Sequence, residues 1–409
     1  MAAGVPLEAT KSHALLLLAA LVFAVFGVAR EFGVSKLKAS VLAVVAAGNP
    51  ILIVQLFTRM NDGLLGTSLA LMLLFSTLWV LRRQRWALIG VIAPLVFALN
   101  LKFSGVPMAV FFCAVVCGLA LWRRGWLQAA EVAGVLAAAG VLGVMLLGAH
   151  PYITNTISHG HPFYPLLGDK PVDIIGTNLP PALEKIGPVE RIGASYFGTT
   201  ASGYDAPDTQ LKLPLMIKPS EITNAGAYDT RVAGFGPFFS AALVLALVLA
   251  AALLVLRGRS VATRVLLAGS GAFVVLGLIM PEAWWARYVP QVWWAPVLVA
   301  AAAFVSSGQK LRIAGWALAG VMALNAAIVA VSSAKYVLER NLDIRSQLAE
   351  MQASPQKLCL HVGELHARLA LLGSLKDRVR VESQPLQGCT VTPLAGGFPH
   401  VPAGYCACP

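Results

Sequence analysis

Charge is what this 409-residue chain has least of. Asp, Glu, Lys and Arg make up 12% of it, against about 25% in soluble domains. That excludes a solvated globular domain over most of its length. Acids are scarcer than bases, 19 against 31, for a formal net charge of +12. Such an excess invites a nucleic-acid reading. Most of the bases, however, sit in short links between apolar runs, which is the positive-inside pattern of membrane proteins. No nucleic acid is expected as a partner. Internal repeats are absent, and so is low complexity beyond Ala/Leu/Val runs. No tight Cys-x-x-Cys pair occurs among the six cysteines, which makes zinc only the alternative reading of the four that fall in the C-terminal tail.

Apolar residues are what the chain has in abundance. Mean hydropathy is +0.74, and ten runs approach the length that crosses a bilayer. They are 14–29, 39–57, 64–81, 86–101, 106–122, 129–148, 238–256, 265–280, 292–305 and 313–331. The fold expected is an all-α integral membrane protein of about ten transmembrane helices. A long outer loop would interrupt it, and a small α/β domain would follow it. Its parts would be 1–148 (about six spans), 149–236 (the loop), 237–331 (about four spans) and 332–409 (the tail). In the tail, 334–351 reads as a helix, 357–362 as a strand, 364–372 as a helix and 378–381 as a strand.

Links after the first, third, fifth, seventh and ninth runs carry two or three bases each. Links after the second, fourth and eighth carry one each: Arg59, Lys102 and Arg287. The richer set is therefore cytoplasmic, and the loop and the tail are extracytoplasmic. Cysteine usage agrees. Cys359, Cys389, Cys406 and Cys408 suggest disulfides and an oxidising compartment. Cys406 and Cys408 are too close to pair with each other, so each would reach back to Cys359 or Cys389. Cys113 and Cys117 lie in an apolar run and read as packing residues. The N-terminus also falls outside, although residues 1–13 carry no export signal. Either a signal-anchor or a missing upstream segment is implied, the second slightly preferred.

Charges near the membrane on the outer side are few, and such groups are retained for function or for a partner. Asp62 follows Asn61 and precedes Gly63, a good tight turn. It is either a turn residue paired with Arg59 or a carboxylate at the mouth of a cavity, binding a metal or a sugar hydroxyl. Asn49-Pro50 would loosen the helix below it, and Gln55 adds a polar group. Lys102 has no acid nearby in sequence. It either snorkels to the headgroups or binds a phosphate. His150, His159 and His161 count like metal ligands but are spaced for no single helix face. Hydrogen bonding to a polar substrate, or capping around Asn155, is preferred. Tyr152, Phe163 and Tyr164 offer flat faces that suit a sugar ring or an interfacial belt. Trp284, Trp285, Trp293 and Trp294 are expected at the membrane interface. Arg287 among them suits a lipid phosphate, with an ion pair to Glu282 as the alternative. Asp229 and Arg231 form a second pair, read as structural.

These motifs together resemble a family. They are Asn-Pro with Gln and Asp-Gly in 49–63, Leu-Lys-Phe-Ser-Gly in 101–105, and His-Pro-Tyr-Ile-Thr-Asn with His-Pro-Phe-Tyr-Pro in 150–165. Arg-Val-Ala-Gly-Phe-Gly-Pro in 231–237 and Trp-Ala-Arg-Tyr-Val-Pro-Gln in 285–291 complete the set. Over roughly 14–296 the chain looks like a bacterial polytopic family similar to the GT-C glycosyltransferases. The resemblance implies a multi-pass protein of the bacterial inner membrane. It implies inverting transfer of a sugar from a polyprenyl-phosphate donor to an envelope glycan or lipid acceptor. GT-C enzymes carry an essential acid in the first outer loop. This chain has no such loop, so that acid is carried over to no position here.

The roles expected are then as follows. Asp62, or Glu282 as second choice, is the catalytic carboxylate. Lys102 and Arg287 neutralise the lipid phosphate. His150, Tyr152, Asn155, His159, His161, Tyr164, Arg231, Tyr288 and Gln291 bind substrate. A divalent cation on Asp62 is the candidate cofactor. Membrane lipids and a membrane-protein partner are further expected contacts. The rival readings are a transporter or flippase for a lipid-linked glycan, and a non-catalytic subunit of an envelope glycan assembly complex.

Overall fold

The computed structural model describes residues 11–173, 178–202, 210–257, 260–362, 375, 378–395 and 403–408. The chain divides into two units, Met1–Ser333 and Ala334–Pro409. The N-terminal residues 1–10 and the expected tail helix at 364–372 lie outside the described residues.

The first unit is helical. In chain order its main helices are α1 (Ser12–Glu31), α2 (Lys36–Ala47), α3 (Pro50–Gln55), α4 (Asp62–Arg82), α5 (Ala87–Leu101), α6 (Gly105–Arg124) and α7 (Trp126–Leu146). The segment that follows holds short pieces: α8 (Thr154–His159), α9 (Pro181–Glu184), α10 (Pro188–Tyr196), β1 (Ala201–Ser202), α11 (Pro219–Asn224) and β2 (Thr230–Val232). Then come α12 (Phe239–Arg257), α13 (Val261–Ile279), α14 (Trp294–Val305) and α15 (Gln309–Ala353).

Among the described residues, seven helices are long and apolar enough to cross a membrane: α1, α4, α6, α7, α12, α13 and α15. The unit has the build of a multi-pass membrane protein. The three remaining apolar runs take shorter forms. Run 86–101 becomes the short α5, and run 292–305 belongs to the short apolar stretch Pro290–Val305. Run 39–57 breaks into α2 and α3, because Pro50 lacks an N–H and its ring cannot follow another helical turn. Asn49 caps the restart. Its Oδ1 accepts from the Ile51 N–H at 3.1 Å, and its Nδ2 donates to the Pro290 carbonyl at 3.0 Å.

α4 is the central helix: 72% of its apolar window is buried, against 22% for α7 at the periphery. Between helices in lipid, close packing takes over from the hydrophobic effect, and small residues permit it. Gly63 does so on α4. A Cβ there would lie 2.6 Å from the Cα of Leu52 in α3. Gly66, one turn on, lies against the Pro290 ring and the Gln291 backbone.

The described residues of 149–236 fold back onto the bundle. β1 and β2 pair antiparallel. Leu183, Ala201, Val232 and Ala233 pack with Trp284 and Trp285. All four tryptophans of that region are buried. Each has protein to cover it: Trp284 stacks on Trp285, Trp293 on Phe239 and Trp294 on Phe273, and the Trp293 indole donates to the Val45 carbonyl at 2.9 Å.

The second unit begins within α15. The tenth apolar run and the expected helix at 334–351 are one continuous 45-residue helix. Four short strands follow, β3 (Leu358–His361), β4 (Val379–Val381), β5 (Thr392–Pro393) and β6 (Gly404–Ala407), ordered β4-β3-β6-β5. β3 is parallel to β4, and the other pairs are antiparallel. β3 and β4 meet the expectation, whereas β5 and β6 arise in a stretch that reads only as Pro- and Gly-rich. The disulfides are Cys359–Cys408 and Cys389–Cys406, so each C-terminal cysteine does reach back.

Candidate functional site

Polar groups converge where the start of α4 meets the turn before α14. Asp62 is the first residue of α4, where the helix dipole favours a negative charge. Its side chain is 3% exposed. Oδ1 accepts from Lys102 Nζ at 2.7 Å. Oδ2 accepts from Arg287 Nε at 3.1 Å and from Gln55 Nε2 at 3.0 Å. Gln55 ends α3 and also accepts from the Gly63 N–H at 2.9 Å, one of the first-turn donors that a helix cannot satisfy itself. The close approach that Gly63 permits therefore sets the position of Gln55, and Gln55 helps set that of Asp62.

The charges continue beyond Asp62. Arg287 Nη1 donates to Asp229 at 2.9 Å, and Asp229 accepts from Arg231 at 3.2 Å. Lys102, Asp62, Arg287, Asp229 and Arg231 thus form a chain of alternating sign, three cations to two carboxylates. Aromatic rings wall it. Lys102 Nζ stands 4.0 Å from the centre of the Tyr288 ring. The guanidiniums of Arg231 and Arg287 lie 4.5 and 5.1 Å from that of Trp285, within the range of cation–π attraction. Arg231 also donates to Asn178. Burial works against the charge of Arg287, but Asp62 and Asp229 outweigh it and hold the guanidinium above its ordinary value. Burial pushes the Tyr288 phenol up, so it stays protonated at neutral pH.

Several pairings differ from those that neighbourhood in sequence suggests. Asp62 pairs with Lys102 and Arg287, not with Arg59. Lys102, without an acid near it in the chain, receives one from 40 positions away. Arg287 takes the two aspartates rather than Glu282, whose carboxylate accepts from the Trp284 indole instead. The expected pair of Asp229 and Arg231 forms.

The histidines of the segment 150–165 make contacts within it. His150 Nδ1 meets Thr154 Oγ1 at 2.9 Å, His159 stacks on Tyr164, and His161 Nδ1 accepts from the Phe163 N–H at 3.1 Å. Asn155 Nδ2 donates to the Tyr164 carbonyl at 2.7 Å. The Tyr152 hydroxyl donates to the Leu99 carbonyl. Phe103, next to Lys102, meets Tyr152 and Phe163 edge to face. Aromatic packing joins this segment to the charged turn.

Sequence reasoning undervalued three members. Asp229 read as a local partner of Arg231, Gln55 as one more polar group on a helix, and Trp285 as an interfacial anchor. An isolated Gln at the end of an apolar run was the one available signal. Gln291 is fully buried, and neither atom of its amide has a partner among the described residues. The same is true of the Trp285 indole nitrogen. A divalent cation does not fit this donor set. Both oxygens of Asp62 accept from nitrogen donors, two of them cationic, and among the described residues no three of His, Cys, Asp and Glu gather. Comparison of the chain with protein-family models, with curated proteins and with solved structures finds no match.

Proposed function

We propose that the five-charge chain recognises the phosphate of a lipid carrier. On this reading the protein is a GT-C-like membrane glycosyltransferase, which moves a sugar from a polyprenyl-phosphate donor to an envelope glycan or lipid acceptor. One observation carries the reading: a partly buried site where Lys102 and Arg287 meet on Asp62, walled by aromatic rings and beside the Trp285 indole, whose N–H has no partner among the described residues. A phosphate suits two such cations. The resemblance of the motifs to a GT-C-like family and the alternation of basic links support a site on the outer face of a bacterial inner membrane.

Lys102 is the most exposed of the charges, with 26% of its side chain accessible. It is the group free to turn toward an arriving phosphate. That movement would release Oδ1 of Asp62 to take the proton of an acceptor hydroxyl. The hydroxyl oxygen would bond to the anomeric carbon as the bond to phosphate breaks. The electron pair would leave on the polyprenyl phosphate, against Lys102 and Arg287.

One observation favours a second reading, a lipid-glycan transporter or non-catalytic subunit. Both oxygens of Asp62 are already engaged, as a purely structural carboxylate requires. The test is saturable binding of polyprenyl phosphate to wild type, Lys102→Gln and Arg287→Ala, followed by sugar transfer from a donor panel. Glycosyl transfer predicts binding that weakens in both variants, and turnover that Asp62→Asn abolishes. Absence of binding in folded wild type would overturn the carrier reading. Binding without transfer that Asp62 controls would leave the second reading.

A further inference from the structure

A second site lies at the far end of α4. The helix runs 21 residues from Asp62 to Arg82, roughly 30 Å at the usual rise, which is about the thickness of a bilayer core. At the Arg82 end a cavity of about 810 Å³ opens between α1, α2, α4, α6, α13 and α14. That lies within the usual range of ligand sites, roughly 300–1,000 Å³. Its wall reaches from Arg82 back to Leu73, about 14 Å along the helix. Apart from Thr77, Arg82 and Arg123, and the indoles of Trp122 and Trp294, the lining is apolar. The Thr77 hydroxyl is spent on the Leu74 carbonyl.

The two arginines are exposed at its mouth, each beside an aromatic ring. Arg82 donates to the Glu31 carbonyl at 2.7 Å and lies 4.9 Å from the centre of the Phe32 ring. Arg123 lies 5.3 Å from that of Trp122. Among the described residues neither is paired with an acid. The side chain of the neighbouring Glu31 accepts from Gln84 at 3.1 Å. Two positioned guanidiniums at an apolar chamber require a ligand with an anionic end and a hydrocarbon end. Free phosphate would leave the chamber wall unused, and a zwitterionic lipid would bring its own cation to the arginines.

We propose that this cavity binds an anionic phospholipid, one chain in the chamber and its phosphate on Arg82 and Arg123. The site is separate from the Asp62 chain and stands whatever that chain binds. It faces the end to which the charge alternation assigns the cytoplasm.

The experiment uses the full chain in detergent and counts bound lipid by native mass spectrometry. The probes are phosphatidylglycerol, phosphatidylcholine with the same chains, and inorganic phosphate. Phosphatidylglycerol should saturate at one per chain and bind at least tenfold more tightly than phosphatidylcholine, and inorganic phosphate should not displace it. Arg82→Gln with Arg123→Gln should weaken phosphatidylglycerol roughly 30-fold, the usual effect of two bases at an anionic surface. Gly118 lines the cavity, and a Cβ there would meet nothing within 4 Å. Gly118→Phe should therefore block the chamber while keeping both arginines. Equal affinity for the two lipids, displacement by inorganic phosphate, or unchanged binding in Gly118→Phe would each overturn the proposal. The lipid comparison on wild type decides the matter even if the arginine variant does not fold.

Discussion

The pair of Asp62 and Arg287 is expected to couple energetically, and its size follows from the geometry. Arg287 makes two charge-assisted bonds, to Asp62 at 3.1 Å and to Asp229 at 2.9 Å. Such bonds contribute about 1.5–3 kcal/mol each. Removing Arg287 leaves neither carboxylate stranded, because Lys102 and Gln55 still hold Asp62 and Arg231 still holds Asp229. The cost of Arg287→Ala should thus lie near the lower sum, about 3 kcal/mol. In an Asp62→Ala background one of the two bonds is already gone. Arg287→Ala should then cost about 1.5 kcal/mol, which leaves a coupling of roughly 1.5 kcal/mol. That is high beside hydrogen bonds in membrane proteins, which average about 0.6 kcal/mol. The Lys102 pair should couple less despite its shorter bond, since solvent reaches 26% of that side chain. Reversible unfolding in mixed micelles over the four proteins of the cycle measures this. A coupling below about 0.5 kcal/mol, the ordinary limit of additivity, would refute the charge chain as a cooperative unit.

Three further outcomes are expected. Gly63→Ala should destabilise by about 2–3 kcal/mol, because its Cβ would meet the backbone of Leu52; thermal unfolding in detergent checks this against Gly118→Ala, which has open space. Burial works to raise the Glu221 carboxyl, but Lys212 and the Thr200 and Lys218 amides outweigh it and hold the group below its ordinary value. Its stabilising effect should be complete above about pH 4.3, the unfolded value, and fade as pH falls further through the lower folded value; hydrogen exchange over 210–224 at pH 6 and pH 3 reads this, and Glu221→Gln should remove the dependence. Replacing Cys389 and Cys406 by Ser opens a loop of 17 residues and should cost the second unit about 3 kcal/mol, seen as faster exchange in β6.

Much of the architecture was legible along the chain. Seven of the ten apolar runs lie in helices that, among the described residues, are long enough to cross a membrane, because a bilayer demands unbroken hydrocarbon whatever the neighbours are. The other three runs form shorter helices, and one cause is also legible: Pro50 within run 39–57. Asp62, Lys102 and Arg287 stood out for the same reason: a charge at the edge of an apolar run is costly to hold there without a counter-charge or a use. Their partners did not stand out. Arg59 and Glu282 are nearer in sequence, but neither is the partner that packing supplies. The tail shows a similar limit. β3 announces itself in Leu-Cys-Leu-His, whereas β6 is four residues with a glycine at its head.

By itself the sequence determined that the chain is mostly membrane-like helix, that its charges cluster at the ends of those helices, and that the tail cysteines pair across the tail. Those properties depend on composition and on short-range order. Only the tertiary structure decided that charges from five separate positions form one alternating chain, and that the histidines make contacts within their own segment. It also decided that the tryptophans are buried and that a cavity opens below Arg82. The physical reason is distance along the chain. Lys102 and Arg287 reach Asp62 from 40 and 225 positions away, and helix packing through residues such as Gly63 and Gly66 is what brings them there.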